Sequence, residues 1–167
     1  MPVQKRAFAT QKKILDSALK LFAHYGLNGI AVDEIAADAK VNKQRIYAYY
    51  GSKNALFEQC LVKVFQDVND QEKNFADISN PAEMTTILLS HYIKIHQQVP
   101  EFWRLIAWAN LESSTALEKL SGIKSRNLST LKTVYEDGQR KGIFKPGVSF
   151  DTYIFHIFAV SYFYHSN

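Results

Sequence analysis

Very little in this chain serves covalent or metal chemistry. The 167 residues include a single cysteine, Cys60, so no internal disulfide can form, and a lone thiol fits a reducing interior. No apolar run reaches the roughly 18 residues that a membrane-spanning helix needs. The first residues show no signal-peptide core either, so the expectation is a soluble, cytoplasmic chain with no membrane partner. There is no glycine-rich phosphate loop and no Gly-x-Ser-x-Gly elbow. His91 and His96 are five positions apart, which sets them about 140° apart round a helix. That is too far to share a metal as residues four apart do. No catalytic group, metal or cofactor is expected, and the chain does not read as an enzyme. Glycine and proline are scarce, at 7 and 4, while 47% of residues are apolar. That balance suits an all-α protein with one sizeable core, or a small module joined to a larger one.

What the chain does have is a basic beginning. The net charge of +4 is uneven: residues 1–63 hold ten Lys/Arg against five Asp/Glu, and residues 64–167 hold ten against eleven. Phosphate binding needs such a concentration of positive charge, although an ordinary basic surface would look the same. Within this segment Val32–Tyr50, VDEIAADAKVNKQRIYAYY, reads as two short helices joined by a tight turn at Val41. Ile35, Ala36 and Ala39 share one face of the first, and Ile46 and Tyr50 form the inward face of the second. Gln44 and Ala48 then point outward, with Arg45 beside them and Tyr47 on the flank. The exposed face is short, polar and cationic, as a helix entering a DNA major groove needs to be. Glutamine pairs bidentately with adenine and arginine with guanine, so Gln44 and Arg45 are the candidate base readers, followed by Lys43 and Tyr49.

The flanking stretches supply a brace. Thr10–Tyr25 is amphipathic, with Ile14, Ala18, Leu21, Phe22 and Tyr25 on one stripe and Gly26 placed as a left-handed cap. Met1–Ala9 reads as a frayed arm carrying Lys5 and Arg6. Ser52 is a good N-cap for a helix from Lys53 to about Phe75, whose apolar side is Leu56, Phe57, Leu61, Val64, Phe65 and Val68. Lys53 sits in the first turn, where the helix dipole prefers an anion, and a bound phosphate would resolve that conflict. Tyr47 and Lys53 are therefore the candidate backbone contacts.

From about Thr10 to Val64, ILDSALKLFAHYG followed by VDEIAADAKVNKQRIYAYYGSKNALFEQCL resembles a TetR/AcrR-type transcriptional regulator. Ile46-Tyr47, Tyr50, Ser52-Lys53 and Leu56 match the family's run of leucine–tyrosine, aromatic, serine–lysine and leucine. Ala31 stands where the family has a small hydroxyl cap, and Lys40 where it has a turn glycine. The resemblance implies an all-α fold. An N-terminal three-helix helix-turn-helix module over residues 1–52 is joined by a long helix, about 53–75, to a C-terminal helical ligand-binding and dimerisation domain over 76–167. It also implies a homodimeric repressor on a palindromic double-stranded DNA operator, released when a small-molecule effector shifts the relation between the halves.

The second half is read mainly from its stops and caps. Asp77–Pro81 is the expected boundary. Asn80 caps, Pro81 takes the first helical position and Glu83 completes a capping-box spacing for a helix to about Gln98. A further helix starts at Pro100 with Phe102, Leu105, Ile106, Trp108 and Ala109 inward. A short helical turn from Ser114 or Thr115 to Gly122 and a long helix from about Ile123 to Lys141 come next. Ser149 caps the last helix, from Phe150. Between Tyr153 and Tyr164 only His156 and Ser161 interrupt the apolar residues, so this helix is expected to be buried on all sides, one of them against a further helix or a second subunit. The resemblance implies one more helix completing a four-helix dimer interface, and with it a natural C-terminus beyond Asn167. His91, Tyr92, Phe102, Trp103, Trp108, Tyr135, Phe155 and His156 are candidates to line an apolar ligand pocket with a few polar tips. The competing reading is an all-helical small-molecule-binding or scaffolding protein that does not bind DNA.

Overall fold

The computed structural model describes residues 2–112 and 128–166, and their side chains except at 2, 3, 73, 74 and 76. The described residues are helical, with no strand. Residues 1–65 with 101–122 form one compact unit, and residues 66–100 with 123–167 a second. The short helical turn expected over 114–122, and the start of the helix expected from Ile123, lie outside the described residues.

In the first unit α1 spans Pro2–Tyr25, α2 Val32–Ala39, α3 Lys43–Tyr50 and α6 Pro100–Leu111, while α4, Lys53–Gln71, begins here. α1 starts eight residues earlier than Thr10, so the expected frayed arm is helical instead. Nothing between Val3 and Thr10 is a helix breaker, and the Thr10 hydroxyl donates back to the Arg6 carbonyl at 2.9 Å, a bond made within a helix. Ile14, Ala18 and Phe22 are fully buried, but Tyr25 is not on that stripe. It lies in the last turn, 47% exposed, with its ring against His24.

α2 and α3 have eight residues each, too short to persist alone. Ile35 and Ile46 are completely buried, as are Phe22 and Phe57, whose rings meet edge-on at 5.3 Å. Each such side chain contributes about 1.5–3 kcal/mol relative to exposure, which holds the short pair in place. Lys40 ends α2 in the left-handed conformation, φ 54°, and the Val41 N–H closes the turn on the Ala36 carbonyl. On α4, Leu56, Leu61 and Val64 face the same core. Cys60 is fully buried there, its thiol aimed at the Leu15 carbonyl 4.0 Å away, and burial pushes its pKa well above the usual value.

In the second unit a 3-10 turn, Glu72–Asp77, precedes α5 (Pro81–Gln98), α7 (Leu128–Arg140) and α8 (Phe150–Ser166). Asn80 accepts the Ala82 N–H at 3.1 Å, as expected of the cap, and its own amide meets the Glu83 carboxylate at 2.9 Å. α5 packs along α8 and α7, burying Met84, Leu88, Tyr92 and Ile95 together with Leu131, Ile154 and Ile157. On α8, Phe150, Ile154, Ile157 and Ser161 face inward. Phe155, Val160, Phe163 and Tyr164 are 54–67% exposed along the opposite side. Among the described residues only the inner of these two apolar faces is packed.

Candidate nucleic-acid interface

α3 is the element to build from, and its N-terminus is well made. Asn42 caps it, accepting the Gln44 N–H at 2.8 Å, and the Arg45 N–H closes on the Asn42 carbonyl. The sequence holds this signal, a cap residue followed by Lys43, Gln44 and Arg45, although the expected turn named only Val41 and not Asn42. With Ile46 at zero exposure, Lys43, Gln44, Arg45, Tyr47 and Ala48 are turned to solvent. Gln44 and Arg45 thus stand side by side on the open face, as expected.

The other candidates are placed less uniformly. The Lys43 ammonium is held by Asp33 at 2.7 Å, which keeps it charged to higher pH than usual. Tyr49 is half-buried. Tyr50 donates its hydroxyl to the Gln11 carbonyl at 2.8 Å, and its pKa is pushed up to about 12, chiefly by burial. Ser52 Oγ accepts the Ala55 N–H, which leaves half-buried Lys53 in the first turn of α4 without an ion-pair partner among the described residues. Ala31 provides no side-chain cap for α2, and Glu34 instead reaches back to the Ala31 N–H at 2.8 Å.

This arrangement is a compact trihelical base with a short exposed cationic helix, and the comparisons agree with it. Residues 14–60 match the model of bacterial regulatory proteins of the tetR family, and residues 81–167 match the tetracyclin repressor-like C-terminal domain. The chain belongs to the TetR family. It is similar to the HTH-type transcriptional repressor NicS of Pseudomonas putida, 29% identical over 98% of this chain and 79% of that protein. It is also similar to the HTH-type transcriptional repressor SCO4008 of Streptomyces coelicolor, 30% identical over 92% of this chain and 77% of that one. Among solved structures, the hemolysin II transcriptional regulator HlyIIR superposes with a TM-score of 0.74 at 25% identity, covering 94% of this chain and 87% of the other. TetR-family proteins are transcriptional regulators and not enzymes, which decides between the two readings of the sequence in favour of the DNA-binding one.

The pocket candidates are divided between the two units. Phe102, Trp103 and Trp108 belong to the first unit, where Phe102 packs on Phe65 at 5.2 Å and Trp108 lies against Gly26. Tyr135 is committed to the second unit's core, stacked on Phe144 and Tyr153 with its hydroxyl on the Val148 carbonyl. Phe155 and His156 lie on the exposed side of α8, the side away from Ile154 and Ile157. His91 and Tyr92 are adjacent on α5. Tyr92 is fully buried, donating to Glu72 at 2.7 Å, and burial lowers the His91 pKa below the usual histidine value. No helix among the described residues is long and apolar enough to cross a membrane.

Proposed function

We propose that this TetR-family regulator is a cytoplasmic dimeric repressor, seated on a palindromic duplex by α3 of each copy and released by a small-molecule effector. The observation that carries the reading is the outward pairing of Gln44 and Arg45 on a helix whose inner face is locked by Ile46. In this reading Gln44 and Arg45 read bases, with Tyr49 at the margin. Tyr47 and Lys53 hold phosphates, and Lys43 joins them by exchanging Asp33 for a phosphate oxygen.

Dimerisation is supported by the exposed stripe of α8, because an apolar face on a helix is self-complementary across a two-fold axis. Phe155 belongs to that face in this reading. The effector reading is supported by His91, whose buried Nε2 finds no hydrogen-bond partner among the described residues. Such an orphan is the kind of group that a polar atom of an effector would satisfy.

A duplex selected from a random pool tests the whole reading. Its affinity should fall steeply with salt, with log–log slope of roughly −0.9 per neutralised phosphate. Val160→Glu should turn the dimer seen by light scattering into a monomer and weaken operator binding. A charge-bearing variant that stays dimeric with unchanged affinity removes α8 from the interface, and binding to no duplex at low salt overturns the repressor reading altogether.

A further inference from the structure

One contact of the first unit joins residues 85 positions apart in sequence. After α1 the chain turns at Gly26, φ +75°, and the next two backbone N–H groups converge on a single carboxylate. Leu27 donates to Glu112 Oε2 and Asn28 to Glu112 Oε1, each at 3.0 Å. Successive amides beside a left-handed residue form an anion-binding concavity, and Glu112, the residue just past α6, fills this one. One turn earlier on α6, Trp108 lies against the same glycine. A Cβ at Gly26 would stand 2.7 Å from Trp108 Cε3 and 2.8 Å from Glu112 Oε1. Gly26 is therefore required both by its φ and by the closeness of this contact.

The electrostatics of α6 do not account for Glu112. An anion at a helix C-terminus opposes the dipole, so the carboxylate stands there against its own helix and is compensated by the two amides of the loop. That loop, residues 26–31, leads directly into α2, whose first residue gains no side-chain cap from Ala31. α2 packs on α3, so the place of the reading helix depends on where the loop is anchored.

We propose that Glu112 and Trp108 are positioning residues for DNA binding. They clip the end of α6 to the α1–α2 loop and so fix the helix-turn-helix pair in the pose that meets a duplex. The proposal rests on the DNA-binding reading above. Its test compares wild type, Glu112→Ala and Glu112→Gln on a duplex selected from a random pool by the wild type, at a temperature where each protein is folded by circular dichroism. Hydrogen exchange at the Leu27 and Asn28 amides is followed in parallel.

Losing a charge-assisted pair should weaken duplex binding roughly tenfold in Glu112→Ala. Glu112→Gln keeps one accepting oxygen and should recover part of that loss, with exchange at both amides accelerated in the same order. Wild-type affinity in Glu112→Ala overturns the positioning role, and unchanged exchange overturns the clip itself. Should Glu112→Ala fail to fold, Glu112→Gln decides: wild-type affinity with faster exchange refutes the proposal. A wild type that binds no duplex refutes the DNA reading instead, and the exchange rates then show separately whether the clip forms.

Discussion

Single residues carry the clearest consequences for recognition. Arg45 is exposed with no ion-pair partner among the described residues, and Lys53 stands at a helix start. Arg45→Ala should cost roughly 1–3 kcal/mol on the preferred duplex and little on others. Lys53→Ala should weaken all sequences about equally and lower the salt slope by about one. Competition binding against scrambled duplexes separates the two; a sequence-selective loss in the Lys53 variant would reverse the assignment. Lys40 is the only non-glycine residue among those described with positive φ. Left-handed strain of roughly 1–2 kcal/mol, set against the extra chain entropy of glycine, predicts that Lys40→Gly stabilises by about 0.5–1 kcal/mol. Urea unfolding measures it, and a destabilised variant would mean that Lys40 makes a contact worth more than its strain. At this scale Lys40 and Gly26 were legible, because turn chemistry is local. The clip made by Glu112 was not, since no period or spacing links positions 85 apart.

Among the elements, α5 and α8 hold a group that sets a pH dependence. His96 is 3% exposed, its Nε2 3.5 Å from Ser161 Oγ and its ring stacked 6.0 Å from His165. Burial first, then the neighbouring His165, lowers its pKa from 6.5 to about 4. Between those values the unfolded chain binds a proton that the folded one refuses, so stability is lost as pH falls from 6.5 towards 4 and is retained above. Tm followed across that window should fall, and His96→Phe should flatten the decline; an unchanged slope would place the acid sensitivity elsewhere. α2, α3 and α4 were legible as elements because period and inward residues agreed, joined for α4 by the Ser52 cap. α1 was read too short because a polar, basic stretch without a breaker looks alike whether helical or frayed. On α8 composition records that both faces are apolar but not what covers the outer one.

For the whole molecule, the uneven charge marks residues 1–63 as the half able to meet phosphates, and the Val32–Tyr50 pattern is what separates that from an ordinary basic surface. The effector site was far less legible. Aromatic residues at helical spacing look the same whether they pack a core, as Tyr135 does, or anchor a loop, as Trp108 does. His91 differs from these two in carrying a buried ring nitrogen with no hydrogen-bond partner among the described residues.

Cys60 carries a practical consequence. It is the sole thiol, sealed between α1 and α4 and disinclined to ionise. A maleimide dye attached through a cysteine introduced on α3 therefore labels one position cleanly, and slow alkylation of the native sulfur becomes a clock for how often the seam between those two helices opens.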